Sequence, residues 1–158
     1  MPNYRAFTRT FDKTTNRLTS PVEIFSKFTA DGTPGVPPVK AVALWDTGAV
    51  ATCIKPRLKD KLNLQTFHTQ TSFTGVGGKV DPYAAIIDIN LLCNAIIHNC
   101  LVYIIDFPGD ADVLIGMDTI NMGDFVVCNT DGKTSFSFAL PPLPERTNFA
   151  NIVEAINN

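Results

Sequence analysis

Residues 41–49 read Ala41-Val42-Ala43-Leu44-Trp45-Asp46-Thr47-Gly48-Ala49, an apolar run that leads directly into an acid, a hydroxyl and a glycine. The apolar part is typical of a buried strand. A carboxylate at the end of such a strand costs desolvation free energy unless other groups hydrogen-bond it, so its position indicates a functional role. The alternative is an ordinary turn that begins at Asp46, with Thr47 and Gly48 as turn residues.

Two later segments accompany this stretch. One of them lies between residues 49 and 112. It is a pair of strand-like runs joined by a glycine-rich tip, Thr71-Ser72-Phe73-Thr74-Gly75-Val76-Gly77-Gly78-Lys79-Val80. A tip of this kind is typical of a mobile hairpin that folds over a site. The second again takes an apolar strand into a glycine, Asp112-Val113-Leu114-Ile115-Gly116-Met117-Asp118. The chain therefore uses one strand-to-glycine pattern twice.

The rest of the chain is dominated by short β-branched and aromatic runs bounded by turn residues, which predicts a mainly β protein. We predict strands at Val22–Thr29, Val39–Trp45, Gln70–Thr74, Val80–Leu92, Ile97–Asp106, Phe125–Cys128 and Thr134–Leu140. Helices are predicted at Lys55–Leu64, which has Pro56 in its first turn, and at about Asn148–Ile156. The pair Asp131-Gly132 favours a type I′ turn and hence a hairpin near the C-terminus.

Composition narrows the class of protein. The 158 residues suffice for one domain, and a 45% hydrophobic, 18% charged composition is typical of a folded globular chain. A formal charge of -2 provides no basic field for nucleic acid or an anionic membrane, so we expect neither as a partner. We find no signal-peptide pattern or membrane-spanning apolar run and predict a cytoplasmic protein.

Metal and cofactor signatures are missing from the sequence. The four cysteines contain no CxxC pair and two histidines are too few to complete a zinc site with them, so we expect no metal site and no cofactor. We interpret Cys53, Cys93, Cys100 and Cys128 as reduced core residues.

Taken in order, the Asp46-Thr47-Gly48-Ala49 motif, the glycine-rich hairpin and Leu114-Ile115-Gly116 resemble the retropepsins, the single-domain aspartic proteases of the retroviral type. The later part of the resemblance, from residue 115 to residue 134, is most similar to bacterial members. The resemblance covers about residues 20 to 140. It implies a closed, barrel-like β domain with one short helix.

The resemblance also implies roles for the motif residues. Asp46 would be the catalytic carboxylate, in a loop that Thr47, Gly48 and Ala49 support. Thr47 would hydrogen-bond across a dimer axis, and Gly48 would let backbone amides approach the carboxylate. The flap over the substrate would be formed by Thr74, Gly75, Val76, Gly77 and Gly78. Leu114, Ile115 and Gly116 would support the active-site loop from behind.

The chain has a single Asp-Thr-Gly, and it is too short for the two-lobed arrangement that carries two copies. Peptide hydrolysis by carboxylates needs an acid and a base, so the second Asp46 must come from another copy of the chain. We therefore expect a C2 homodimer that acts on a peptide or protein substrate.

The sequence departs from viral members where they commonly carry acids after the motif and an arginine after the later glycine. Here Val50, Ala51 and Met117 take those places, so the viral ionic network is absent. The hairpin at Phe125–Leu140 and the N-terminal segment are both candidates for the dimer sheet.

We divide the chain into an N-terminal segment (1–20), a protease domain (21–140) and a C-terminal tail (141–158) that could contain the short helix. The competing hypothesis is a dimeric module of the same fold that binds peptides without cutting them.

Overall fold

The computed structural model describes residues 3–27, 36–75, 78–145 and 147–157, and most of their regular structure is β-sheet. The strands are β1 (Arg5–Thr10), β2 (Leu18–Ser26), β3 (Val39–Trp45), β4 (Cys53–Ile54), β5 (Phe67–His68), β6 (Phe73–Gly75), β7 (Gly78–Val80), β8 (Tyr83–Asn90), β9 (Ile96–Ile104), β10 (Val113–Ile115), β11 (Asp124–Thr130) and β12 (Lys133–Leu140). The helices are α1 (Pro56–Lys61), α2 (Met117–Ile120) and α3 (Phe149–Asn157).

Six strands form a closed barrel. They pair in the order β2, β3, β10, β4, β9 and β8, and β8 pairs again with β2. Two of these pairings are parallel, β3 with β10 and β4 with β9. Closure pairs the strand edges and encloses an apolar core, so the predicted mainly β, barrel-like fold is confirmed.

A second sheet, of β1, β12 and β11, packs on the barrel through aromatic side chains. Along β12, Phe136 and Phe138 are buried, whereas Ser135 and Ser137, which alternate with them, are only partly covered, as expected for a strand. The Trp45 ring lies 4.9 Å from the Phe138 ring and stacks on Phe125 at 5.6 Å. The strand that leads into Asp46 is therefore anchored to the second sheet by packed aromatic rings.

The C-terminal hairpin forms where the sequence predicts it. Asp131 and Gly132 have φ of 52° and 70°, the positive values that a type I′ turn needs at both central residues. Thr130 and Lys133 close the turn as a cross-strand pair.

Several predicted strands differ in extent. The N-terminal segment contains β1, which we did not predict, and β2 starts earlier than expected. The predicted strand Val80–Leu92 is interrupted at Asp81-Pro82, because proline cannot donate to a ladder, and splits into β7 and β8. The predicted Val22–Thr29 extends into residues 28–35, which lie outside the described residues.

The helices are short. Helix α1 has Pro56 in its first turn as predicted but ends before Leu64, since Asn63 adopts a left-handed φ of 46°. Our expectation of one short helix in the domain is wrong, because α2 also forms directly after β10. Helix α3 forms in the predicted place and has no buried residue. None of the helices in the described parts of the chain is long and apolar enough to cross a membrane.

The cysteines do not all lie in the core. Cys53 is buried, Cys93 and Cys100 are partly buried, and Cys128 is exposed; all four are free thiols. The core assignment of Cys128 is wrong because it lies on the half of β11 whose side chains are exposed.

Candidate active site

Asp46 lies where two parallel strands end side by side. β3 and β10 pair in register, with Ile115 opposite Trp45, so their next residues leave the barrel together. The Asp46 N–H donates a 3.0 Å hydrogen bond to the carbonyl of Ile115, and Asp46 itself is half-buried. The two strand-to-glycine motifs that the sequence separates are thus adjacent in the fold.

The loop after Asp46 folds back onto the carboxylate. The Gly48 N–H donates to Asp46 Oδ1 at 2.8 Å, and the Ala49 N–H donates to the Asp46 carbonyl at 3.2 Å. A Cβ on Gly48 would lie 3.2 Å from Oδ1, which is tighter than most Cβ contacts. The loop therefore fixes the carboxylate through its backbone, and glycine gives that backbone the necessary approach.

Thr47 and Val50 are exposed beside the carboxylate. No described residue of the same chain hydrogen-bonds the Thr47 hydroxyl. Val50 is 73% exposed, although it is apolar and lies within the motif loop. This surface leaves one polar and one apolar group uncovered at the point where the chemistry would occur.

Gly116 holds the loop from behind by a close backbone approach. A Cβ at Gly116 would lie 2.5 Å from the carbonyl carbon and oxygen of Ala51, a distance that real contacts do not reach. Directly after Gly116, the Met117 N–H donates to the Ala49 carbonyl at 2.8 Å and the Asp118 N–H to the Val50 carbonyl at 3.3 Å. Only glycine leaves room for this backbone contact.

Thr52 and Asp118 tie the two motifs together, and our sequence reasoning gave neither a role. Asp118 Oδ1 accepts from the Thr52 hydroxyl at 2.7 Å, and Oδ2 accepts from the Thr52 N–H at 2.9 Å. The fully buried Thr52 hydroxyl also accepts from the Gly116 N–H at 3.2 Å. The sequence signal that could have indicated a role for Asp118 is its position, two residues after Gly116 and in the first turn of α2.

A pocket of about 270 Å³ opens beside the motif loop. The base of the β6–β7 hairpin contributes Phe73 and Thr74, so the structure brings the predicted flap and the predicted active-site loop to one pocket. The remaining lining is formed by Gly48, Ala49, Val50, Ala51, Cys53, Ile105, Phe107 and Leu114. The pocket contains no charged side chain among these residues.

The hairpin that the sequence predicts as a flap is described in part. Gly75 pairs with Gly78, which has a φ of 102° that favours glycine, and Phe73 pairs with Val80. Val76 and Gly77, which the sequence places at the tip, lie outside the described residues.

The electrostatics of the pocket disfavour a thiolate. Burial, assisted by the negative charge of Asp118, raises the pKa of the Cys53 thiol to about 11. Cys53 is therefore a neutral, apolar part of the lining at physiological pH. The described residues contain no group of three or more His, Cys, Asp or Glu side chains placed to hold a metal ion.

The chain is similar in fold to solved protease structures. A retropepsin-like aspartic protease from Rickettsia conorii aligns with a TM-score of 0.51 at 14% identity, over 89% of this chain and 98% of the other. EIAV protease complexed with the inhibitor HBY-793 aligns with a TM-score of 0.48 at 24% identity, over 68% of this chain and 91% of the other. The first alignment supports the fold.

Among curated proteins, none matches the chain significantly. The family model for the gag-polyprotein putative aspartyl protease matches residues 36–122, a span that begins just before β3 and ends just after α2. That span contains Asp46-Thr47-Gly48, the β6–β7 hairpin and Gly116. Because the match covers more than half of the sequence and both strand-to-glycine motifs, the chain belongs to this family, the retropepsin-like aspartic proteases.

Proposed function

We propose that the protein is an aspartic endopeptidase whose active form is a C2 homodimer. The observation that carries the proposal is the Asp46 carboxylate, held by the Gly48 N–H at the shared end of β3 and β10, beside a pocket that the flap hairpin also lines. One chain supplies one such carboxylate. A symmetry-related copy supplies the second at the axis.

The exposed surface around the motif supports this pairing. The Thr47 hydroxyl has no partner among the described residues of its own chain, and Val50 is exposed in the same loop. An apolar side chain and a hydroxyl both gain by contact with a second copy, the first by burial and the second by a hydrogen bond across the axis. The monomer is inactive in this proposal.

The chemistry follows from two carboxylates about 3 Å apart, which cannot both ionise and so share one proton. The ionised member takes a proton from a water molecule while its partner gives its own proton to the substrate carbonyl oxygen. The water oxygen bonds to the carbonyl carbon, and the tetrahedral intermediate then collapses. The carboxyl group that took the water's proton gives it to the nitrogen as the C–N bond breaks. The other carboxylate takes back a hydroxyl proton from the intermediate, so the two products leave and the pair again shares one proton.

The flap hairpin closes over an extended peptide in this mechanism. Its strands are short and, among the described residues, pair only with each other, so an added peptide strand would gain backbone hydrogen bonds without breaking the barrel. Closure also excludes bulk water from the reacting carbonyl. The pocket lining beside Ala49 is apolar, which favours an apolar side chain next to the bond that is cut.

Cleavage of a diverse peptide mixture between about pH 4 and 7, a range that overlaps the one in which a shared-proton pair is singly protonated, tests the proposal. We expect cleavage by the wild type, with a rate that rises faster than linearly with protein concentration. Asp46→Asn serves as the control and should not cleave.

Sedimentation of both proteins at the assay concentrations completes the test. Absence of cleavage by a wild type that sediments as a dimer would contradict the protease proposal and favour a peptide-binding module. Cleavage linear in the concentration of a monomer would contradict the dimeric mechanism. A preference for charged residues beside the cut would contradict the apolar-pocket expectation.

A further inference from the structure

The loop between β9 and β10 forms one wall of the pocket. It runs from residue 105 to residue 112, and its Ile105 and Phe107 side chains line the pocket. Phe107 is only partly buried, and the Gly109 backbone beyond it has a φ of 96°, in the left-handed region. Ile105 and Phe107 pack against the buried cluster of Cys53, Ala84 and Tyr103. Residues 108–110 beyond them are exposed, so the open end of the loop depends on polar contacts.

Lys55, directly before α1, contacts this loop at three points. Its Nζ donates a short hydrogen bond to the Gly109 carbonyl and lies 5.2 Å from the centroid of the Phe107 ring. Its backbone N–H donates to the Asp112 carbonyl at 2.9 Å. An ammonium over an aromatic face is attracted by the ring quadrupole, so one side chain fixes both the loop backbone and the ring.

Two arginines tie the far end of the same loop. Arg57 contacts the Asp112 carboxylate at 2.7 Å, and Arg17 contacts the Asp110 carboxylate at 2.6 Å. The Asp110 carboxylate, whose pKa is lowered by a backbone hydrogen bond and by Arg17, is fully exposed. These pairs lie beyond Gly109, whereas among the described cations Lys55 is the one placed on the Phe107 ring.

We propose that Lys55 is a specificity-determining positioning residue, which holds Phe107 as a wall of the pocket and thereby selects substrates with an apolar side chain that fits against it. The inference rests on the proposed protease function. Lys55 does not touch the reacting atoms, so its effect is expected in the choice of substrate and in KM, with kcat nearly unchanged.

Lys55→Met tests the proposal because it keeps the aliphatic stem and removes the ammonium. The substrates are peptides identical except for Ala, Leu or Phe at each residue flanking the wild-type cut. We expect KM for the preferred apolar peptide to rise about fivefold or more, with little change for the Ala peptide. Lys55→Arg should restore most of the selectivity.

The matched control is Lys59→Met, which removes the same charge from α1. Lys59 pairs with Asp60 at 2.8 Å, away from the pocket, so this variant should keep the wild-type profile. Unchanged selectivity in an active Lys55→Met enzyme, or an equal change in Lys59→Met, would overturn the inference and leave the protease proposal standing.

A double-variant comparison covers a general loss of activity in Lys55→Met. If Lys55 acts through Phe107, Phe107→Leu should change selectivity in the same direction, and the double variant should be no worse than Phe107→Leu alone. Additive losses would overturn the inference. Binding of the same peptides to Asp46→Asn variants, measured by fluorescence anisotropy, separates recognition from cleavage, and a wild type that neither cuts nor binds them would overturn both proposals.

Discussion

The loop after β3 and the turn after β10 start from the same pattern and end in opposite environments. Both follow an apolar strand, and the strands lie parallel in one register. After β3, the chain exposes Thr47, Gly48 and Val50. After β10, Gly116 and Thr119 are buried and α2 begins at once.

The difference shows how one short pattern provides two functions. The first strand-to-glycine motif presents a carboxylate at the surface, and the second motif provides the rigid backbone against which the loop of that carboxylate is held. Two backbone hydrogen bonds join the motifs within the chain: the Asp46 N–H donates to the Ile115 carbonyl, and the Met117 N–H donates to the Ala49 carbonyl. Substitutions in the first motif should therefore alter activity, whereas substitutions in the second motif should alter stability.

Asp46→Asn should have the largest effect on activity. The amide is nearly isosteric but cannot act as the base, so we expect kcat/KM to fall at least about 100-fold. Because Asp46 lies in an exposed loop, the melting temperature should change by less than about 3 °C. Enzyme kinetics check the loss of activity, and thermal unfolding checks the melting temperature. A large loss of stability would contradict the assignment of activity to the first motif and stability to the second.

The two glycines provide a matched pair. Gly116→Ala should reduce the free energy of unfolding by about 1–3 kcal/mol or more, because its Cβ would overlap the Ala51 backbone. Gly48→Ala should cost less than about 1 kcal/mol, since its closest contact is the Asp46 side chain at 3.2 Å, yet it should lower activity by displacing that carboxylate. Urea unfolding of both variants gives the ranking, and the reverse order would refute it.

The buried hydroxyl of Thr52 should have an intermediate effect. Thr52→Val leaves the Gly116 N–H without its acceptor and removes a donor to Asp118, at a cost of about 1–2 kcal/mol. Thr52→Ser keeps the hydroxyl and should recover most of this free energy. Equal losses in both variants, measured by urea unfolding, would show that packing of the methyl group matters more than the hydrogen bonds.

The smallest effect is a change in thiol reactivity at Cys53, which follows the first motif in the sequence. With a pKa of about 11, about one thiol in a thousand is ionised at pH 8, and the group is also buried. Peptide mapping after alkylation should show rapid modification of the exposed Cys128 and slow modification of Cys53. Gly116→Ala should accelerate the Cys53 reaction if it loosens the backbone contact between the two motifs. An unchanged rate would argue that the loop after Asp46 stays packed against Gly116.

The features that could be predicted from the sequence are local ones. An apolar run followed by a polar residue and glycine is visible within nine residues, and so are the strand before Asp46 and the strand before Gly116. The Asp131-Gly132 hairpin is likewise encoded by adjacent residues. The site residues could be named because each lies in such a segment.

The missed features depend on distant contacts. Strand β1 buries only Phe7, so its sequence shows no alternation, and it is a strand because β12 pairs with it. The pair of Thr52 and Asp118 joins residues 66 positions apart, and neither segment alone indicates the other. Helix α2 is four residues long, too short for any periodicity to appear.

Trp45 is the single tryptophan of the chain, and it directly precedes Asp46. Its ring stacks on Phe125 with an interplanar angle of 8°, and its indole N–H donates to the buried Ser20 hydroxyl at 2.9 Å. Intrinsic tryptophan emission therefore arises from one site, at the base of the motif loop. Ultraviolet-excited fluorescence reports on that strand without any attached dye, and shifts in its wavelength or quenching can follow peptide engagement and subunit pairing in real time.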